Sequence, residues 1–201
     1  MDQLRIRGNW YKLILDLCGA TGSWSKPYKD AGYDVRVITL PDNDIRTYIP
    51  PANVYGILFA PPCTEFSVSG GRWWKDKDPR LLEEALEVFD AGMKMIMMCN
   101  PHFWAIENPV GRLKRLRYSV LGEPRLIFHP FQYGDAYSKK TLLWGKFNTP
   151  IKNEVKPEYM VSKNGYRYSP IARWFPNKEE RQRIRSITPP GFAKAFYEAN
   201  K

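Results

Sequence analysis

The chain has 201 residues, a net charge of +10, and 43% hydrophobic and 14% aromatic residues, enough for one ordinary domain with a real core and too little for a second full one. No apolar run is long enough for a membrane-spanning helix, and the first residues lack the apolar stretch of a secretory signal, so a soluble, cytoplasmic protein is expected. Cys18, Cys63 and Cys99 are too few and too widely spaced for a disulfide framework, and His102 and His129 are too few for a His-rich metal centre.

In chain order, residues 12–17 form a short apolar strand with Asp16 near its end, followed by the small-residue loop Cys18, Gly19, Ala20, Thr21, Gly22, Ser23 and by helical character up to Gly32. Residues 35–40 read as a second strand and residues 54–60 as a third, stopped by Pro61 and Pro62. Leu82, Leu86, Phe89, Met93 and Ile96 or Met97 recur at helical spacing and predict an amphipathic helix over residues 79–98. Residues 103–106 form another buried-type strand before Asn108 and Pro109. Alternating strands and helices predict an α/β fold, a parallel sheet with helices on both faces. Residues 125–131 and 141–144 read as a hairpin at the sheet edge, residues 147–169 as an irregular excursion, and residues 177–185 and 191–200 as two helices.

Basic residues gather in the second half: Arg112, Lys114, Arg115 and Arg117, then Lys139 and Lys140, then Arg181, Arg183 and Arg185. Such a field attracts nucleic acid, and it also suits a plain solvated surface.

In an open α/β sheet, functional residues belong where strands end. Four strand ends carry unusual residues. The loop from Cys18 to Ser23 can let a ligand approach the backbone closely, or can be a tight turn. After the second strand, Asp42 and Asp44 offer acids for ribose hydroxyls, or are ordinary loop residues. After the third strand, two prolines stiffen the loop that presents Cys63, where a thiolate can be exposed and activated. Cys18 and Cys99 read as small buried hydrophobes. Finally, Glu107 follows a buried strand, where a carboxylate is expensive unless paired or protonated.

With these residues in place, the chain resembles the DNA cytosine-C5 methyltransferases, from Asp16 to about Lys201 and in the family's motif order. Pro61, Pro62 and Cys63 with Phe66 and Ser67 look like the nucleophile loop, and Glu107, Asn108 and Pro109 like the base-binding motif. Residues 16–23, with Trp24, are similar to the methionine-binding loop of the cofactor site; Asp44 and Ile45 are similar to the segment beside the adenine. Residues 139–145 look like the basic strand near the active site, and Ile187, Thr188, Pro189 and Pro190 like the last motif, which folds back onto the cofactor site. Ala20 stands where the family usually has glycine, Cys18 where it has phenylalanine, Thr64 for glutamine and Ser138 for an arginine, which leaves Lys140 as the matching base. The second-strand acid is displaced to Asp42, beyond Thr39, Leu40 and Pro41. These departures bear on cofactor affinity more than on the chemistry.

The resemblance implies a Rossmann-like methyltransferase sheet that binds S-adenosyl-L-methionine through Asp16, residues 18–24, Asp42, Asp44, Ile45 and Pro61. It implies Cys63 as nucleophile, Glu107 holding the cytosine ring and Lys140 assisting, on a cytosine flipped out of duplex DNA by a monomer. Ser67, Arg72, Trp73 and Trp74 are candidates to line or fill the gap, although the two tryptophans also suit a packed aromatic cluster. Residues 1–146 would form the catalytic core, 147–186 a reduced target-recognition insert and 187–201 a returning motif and helix. An insert this short implies short or relaxed sequence specificity, with Tyr166, Arg167, Tyr168, Arg173 and Trp174 as its contacts. Two alternatives stay open: the same chemistry on RNA, single-stranded DNA or a nucleotide, and a non-catalytic nucleic-acid binder.

Overall fold

The computed structural model describes residues 8–172 and 177–201. Six strands form one sheet: β1 (Leu13–Leu17), β2 (Asp34–Ile38), β3 (Val54–Phe59), β4 (Phe103–Pro109), β5 (Leu126–Phe128) and β6 (Thr141–Lys146), in the order β2-β1-β3-β4-β6-β5. Every residue of β1 is buried, as befits a central strand covered on both faces. β2 and β3 flank β1 in parallel, and β4 runs parallel beside β3. The chain leaves β1 toward β2 and returns to the other side of β1 as β3. A crevice therefore opens between the carboxyl ends of β1 and β3, where Rossmann-like sheets hold their ligands.

The far side of the sheet carries the expected hairpin, with β6 inserted between β4 and β5. β6 runs antiparallel to β4, with Glu107 opposite Leu143 and Pro109 opposite Thr141, and β5 pairs antiparallel with β6. Residues 129–140 supply a short 3-10 turn (Pro130–Tyr133) and a loop in place of a crossover helix, so the chain reverses direction. The start of β6, rather than its end, consequently lies at the carboxyl edge.

Alternate strand residues face opposite layers. Leu13, Leu15, Leu17, Ile57 and Phe59 pack with Phe89, Met95 and Ile96 of α2 (Pro79–Cys99). Asp78 caps α2 by accepting from the Arg80 N–H, and Asn100 ends it in a left-handed conformation at φ 42°. Its buried stripe is Ala85, Phe89, Gly92, Met95 and Ile96, while Met97 is 76% exposed; the stripe is rotated from the one the sequence predicted. At Gly92 a Cβ would sit 2.3 Å from the Phe59 ring, so glycine lets helix and sheet approach closely.

The opposite layer is aromatic. Ile14, Leu58 and Ala105 lie under Trp24, Tyr28 of α1 (Lys26–Asp30), and Phe192 and Phe196 of α6 (Pro190–Ala199). Phe192 stacks on Phe128 at 3.9 Å between centroids, and Trp24 meets Phe196 edge-on at 5.5 Å; such pairs contribute about 0.5–1.5 kcal/mol each beyond area burial. Two one-turn helices, α3 (Leu113–Leu116) and α4 (Tyr118–Leu121), follow β4. Beyond β6 the chain runs along the 3-10 turn, with Val155 N–H donating to Phe131 O. A small hairpin follows, β7 (Met160–Val161) with β8 (Arg167–Tyr168), and then α5 (Lys178–Ser186). Among the described residues no helix is long and apolar enough to cross a membrane.

Candidate active site at the carboxyl edge of the sheet

On the β1 side the crevice wall is backbone. Cys18, Ala20 and Gly22 all have left-handed φ, at 57°, 44° and 65°, an arrangement that leaves a concave run of small residues. A Cβ on Gly19 would fall 2.4 Å from the Asp16 carboxylate, so only glycine fits. Asp16 is fully buried; its Oδ2 accepts from Ser25 Oγ at 2.5 Å and its Oδ1 has no partner. Burial pushes its pKa up to about 6, and the Ser25 hydrogen bonds only partly oppose this. Ser23 Oγ accepts from the Thr188 N–H at 2.9 Å, which ties the segment before α6 to this loop. Trp24 is 1% exposed and sits in the aromatic core beneath the loop.

The loop after β2 comes up beside it. Ile45 is buried in the core, Asp42 is exposed, and the Asp44 carboxylate is taken by Arg46 at 2.6–3.0 Å. That pairing holds the Asp44 pKa below the ordinary carboxylate value. Burial first, then the nearby Asp16 and Asp44 charges, push the Cys18 thiol up to about 12, which makes it an inert wall rather than a nucleophile.

The β3 side is built from side chains. Cys63 opens a 3-10 turn (Cys63–Glu65), and its carbonyl accepts from the N–H groups of Phe66 and Ser67 at 3.0 and 2.8 Å. The loop behind it is locked. Buried Glu65 accepts from Lys77 Nζ at 2.6 Å and lies 3.7 Å from Arg112 Nη2, while Arg112 Nε donates to Glu65 O at 2.6 Å. The Arg112 guanidinium also stacks over Trp74, 4.5 Å from its centroid. Ser67 bridges to Gly111, where a Cβ would meet Phe66 O at 1.8 Å. This lock presents the 3-10 stretch Val68–Asp76, on which Trp73 is 54% exposed with Arg72 over its ring at 4.7 Å.

β4 delivers the acid. Phe59 pairs with Ile106, which sets Glu107 one residue further along, at the level where β3 gives way to the Cys63 loop. Asn108 Nδ2 donates to Pro61 O at 3.0 Å and staples the two strand ends together. Lys139, just before β6, places Nζ 3.8 Å from Glu107 Oε1 and donates to Arg185 O of α5 at 3.0 Å. Burial chiefly, and Glu107 next, push the Cys63 thiol up; Lys139, backbone hydrogen bonding and Arg185 pull it partway back.

No family model matches the chain, and no curated protein does. Among solved structures the chain is similar to an E. coli protein described as a "putative DNA modification methyltransferase encoded within prophage", with 15% identity, a TM-score of 0.47 and coverage of 67% of this chain and 46% of that one. The chain spans less than half the length of that protein.

The structure brings together Asp16, Cys18, Gly19, Ala20, Thr21, Gly22, Ser23, Asp44 and Pro61 around one crevice, with Cys63 and Glu107 at its β3–β4 side. Lys140 is exposed, and its charge bears on His129, whose pKa falls chiefly through burial and secondarily through Lys140. Lys139 is the lysine that faces Glu107. Nothing in the strand pattern separates the two lysines, since Thr141 and Leu142 are both buried and β6 begins only at Thr141. Arg185, read as surface charge, reaches the site by tertiary contact that no local pattern announces. Most of the basic run after β4 is paired: Arg112 with Glu65, Lys114 with Glu123 at 2.6 Å, Arg117 with Asp90 at 2.7 Å. On the hairpin, Tyr166 is 75% exposed and Arg167 lies over the Tyr159 ring at 4.7 Å. Arg173 and Trp174 lie outside the described residues.

Proposed function

We propose that this chain is a cytosine-C5 methyltransferase acting on DNA, with Cys63 as nucleophile and Glu107 as the group that holds the target ring. The observation that carries this reading is the joining of the Cys63 loop to the Glu107 strand end, through Asn108 and Pro61, beside a crevice walled by glycine and left-handed backbone. The residues of that crevice fit S-adenosyl-L-methionine. Asp16 Oδ1 is a buried acceptor without a partner, Gly19 leaves a cradle that a Cβ would fill, and Asp42 offers an uncommitted acid for hydroxyls.

Carbon 5 of cytosine is a poor nucleophile until a thiolate adds to carbon 6. Cys63 loses its proton and its sulfur bonds to carbon 6, which turns carbon 5 into an enamine carbon. Glu107 shares a proton with ring nitrogen 3 and so stabilises the charge that develops, with the Lys139 ammonium beside it. S-adenosyl-L-methionine, when bound, supplies the electrophilic methyl group that carbon 5 accepts. Loss of the carbon-5 proton to a base then restores the ring double bond and expels the Cys63 thiolate. Burial pushes the resting Cys63 thiol up from its ordinary value, which favours the less reactive protonated form in the free protein.

Carbon 6 is shielded within a duplex, so the base must leave the stack at a cost of a few kcal/mol. The Arg72–Trp73 pair, standing on the locked 3-10 stretch next to Ser67, is placed in sequence beside the nucleophile and offers a π-face to the gap or its neighbours. The small β7–β8 hairpin gives few side chains for reading bases, which favours a short or relaxed recognition site.

The test incubates purified protein with S-adenosyl-L-methionine and unmethylated duplex DNA, then measures 5-methyldeoxycytidine by mass spectrometry beside a Cys63→Ala control. Product only with Cys63 present supports both reaction and nucleophile, with the control expected to fall by about 10⁴-fold or more. Product from RNA or single strands alone would move the substrate. No product from any of them, with nucleic-acid binding intact, would leave a non-catalytic binder.

A further inference from the structure

The turn that carries Cys63 is held by two stretches of chain that meet at Glu65. From one side comes Lys77, just beyond the 3-10 stretch Val68–Asp76: its Nζ donates to Glu65 Oε1 at 2.6 Å and to Thr64 O at 3.2 Å. From the other comes Arg112, on the connection from β4 to α3. Its Nε donates to Glu65 O at 2.6 Å, its backbone N–H to Phe66 O at 2.8 Å, and its Nη2 lies 3.7 Å from Glu65 Oε2. Both cations thus share one carboxylate, and the Glu65 and Arg112 side chains are only 11% and 13% exposed. An ion pair so enclosed is screened far less than one on an open surface, and removing one member strands a charge away from water. Exposed pairs such as Lys26 with Asp30 hold nothing in this way. The ties also bracket the nucleophile. Asn108 binds Pro61 O, two residues before Cys63, and Arg112 binds Glu65 O, two residues after it.

We propose that Glu65 is a positioning residue that makes the Cys63 turn, the Arg72–Trp73 loop and the end of β4 a single rigid body. The Glu65–Lys77 contact joins residues twelve apart and so closes the chain between them into a loop. That loop presents Trp73 outward, with Arg72 over its ring, and sets Trp74 under the Arg112 guanidinium at 4.5 Å. Val68 N–H, at the start of the loop, donates to Val110 O at 2.9 Å, so the same post-β4 segment that follows Glu107 also fixes where the loop begins. Glu65 acts only through these neighbours and meets no reacting atom. The positioning role rests on the methyltransferase reading for its chemical meaning, though its mechanical part does not. In that reading a nucleophile displaced by about 1 Å can lose about 10²-fold in rate.

The experiment follows amide hydrogen exchange, peptide by peptide, in the full-length protein with no cofactor or nucleic acid present. Glu65→Gln, and the milder Lys77→Met, should speed exchange across residues 63–77 by about tenfold or more. Lys77→Arg should stay near wild type, and Lys26→Met, which breaks an exposed pair, should change nothing there. Peptides from β1 and β3 should exchange as in wild type in every variant, which separates a loosened loop from a failing fold. In the 5-methyldeoxycytidine assay Glu65→Gln should lower kcat by about 10- to 100-fold with KM for duplex DNA within about twofold, and Lys77→Arg should keep kcat. If residues 63–77 hold their wild-type exchange in both neutral variants, or if β1 and β3 loosen as much, the proposal fails. It fails too if KM rises while kcat holds, since Glu65 would then serve binding. If the loop loosens as expected while wild-type protein forms no 5-methyldeoxycytidine, the rigid joint stands and the methyltransferase reading fails instead.

Discussion

The two sides of the crevice present different materials. The β1 side offers backbone: three left-handed residues, a glycine that nothing can replace, and a buried carboxylate with one oxygen unmatched. The β3–β4 side offers charged and polar side chains that bind one another, through Asn108 to Pro61, Lys139 to Glu107, and Glu65 to Lys77. A wall of backbone holds a ligand by shape and by N–H groups, and its cost appears as strain and desolvation. A wall of paired side chains holds reacting groups in place, and its cost appears only when a partner is removed. Mutations on the two sides should therefore have opposite signs.

The largest effect should come from Asp16→Asn. The folded pKa lies at about 6, above the ordinary 3.8, so between those values the folded state keeps a proton that the unfolded chain has lost. Stability then falls as pH rises through that window and stays low above it. The asparagine variant should be more stable at pH 7, by at most about 3 kcal/mol since one pKa unit is worth about 1.4, and the gain should vanish near pH 3.5. Urea melts at both pH values check this. S-adenosylhomocysteine binding, measured by calorimetry, should weaken at the same time. A variant that is stabilised yet binds as tightly would remove Asp16 from the ligand wall.

Asn108→Ala should do the reverse. It strands the Pro61 carbonyl in a buried joint, a loss of about 1–3 kcal/mol, and it lets the Cys63 loop drift from Glu107. Denaturant melts should show the lost stability, and turnover should fall with little change in nucleic-acid affinity. The smallest effect belongs to Ala20→Gly. A left-handed alanine costs about 1 kcal/mol, part of which glycine returns through the freer unfolded chain, so a gain of roughly 0.5 kcal/mol in thermal melting is expected. A loss there would mean that the Ala20 methyl group does something in this loop beyond tolerating its conformation.

Some of this was legible in the sequence. The four strand ends that carry Asp16, Asp42, Cys63 and Glu107 were found because strand-to-loop boundaries are marked by small residues and prolines, and all four strands are contiguous in the sheet. Helix α2 was legible from its periodicity, although its buried stripe is rotated because Gly92 lets the helix press against Phe59, leaving Met97 outside. The β5–β6 hairpin was legible, but the insertion of β6 between β4 and β5 was not, since which strand pairs with β4 depends on how the loops close rather than on the strands' own residues. Nor could the left-handed backbone at Cys18 and Ala20 be read, because neither side chain favours it. Lys139 was missed by choosing between adjacent lysines by resemblance; burial of both Thr141 and Leu142 leaves alternation unable to separate them. Arg185 was out of reach, because its contacts with Lys139 and Ile171 join residues far apart in the chain.

The bond from Thr188 to Ser23 spans 165 residues, and α6, which begins two residues after Thr188, covers Trp24 and Tyr28 with Phe192 and Phe196. On a ribosome adding about 5–20 residues per second, that aromatic face waits roughly 10–30 s after its first half is made. Throughout that interval the nascent sheet carries an uncovered, sticky surface and an unfinished ligand loop. Expression yield should accordingly respond to chaperone supply and to codon speed upstream of α6 more than to the composition of the finished surface.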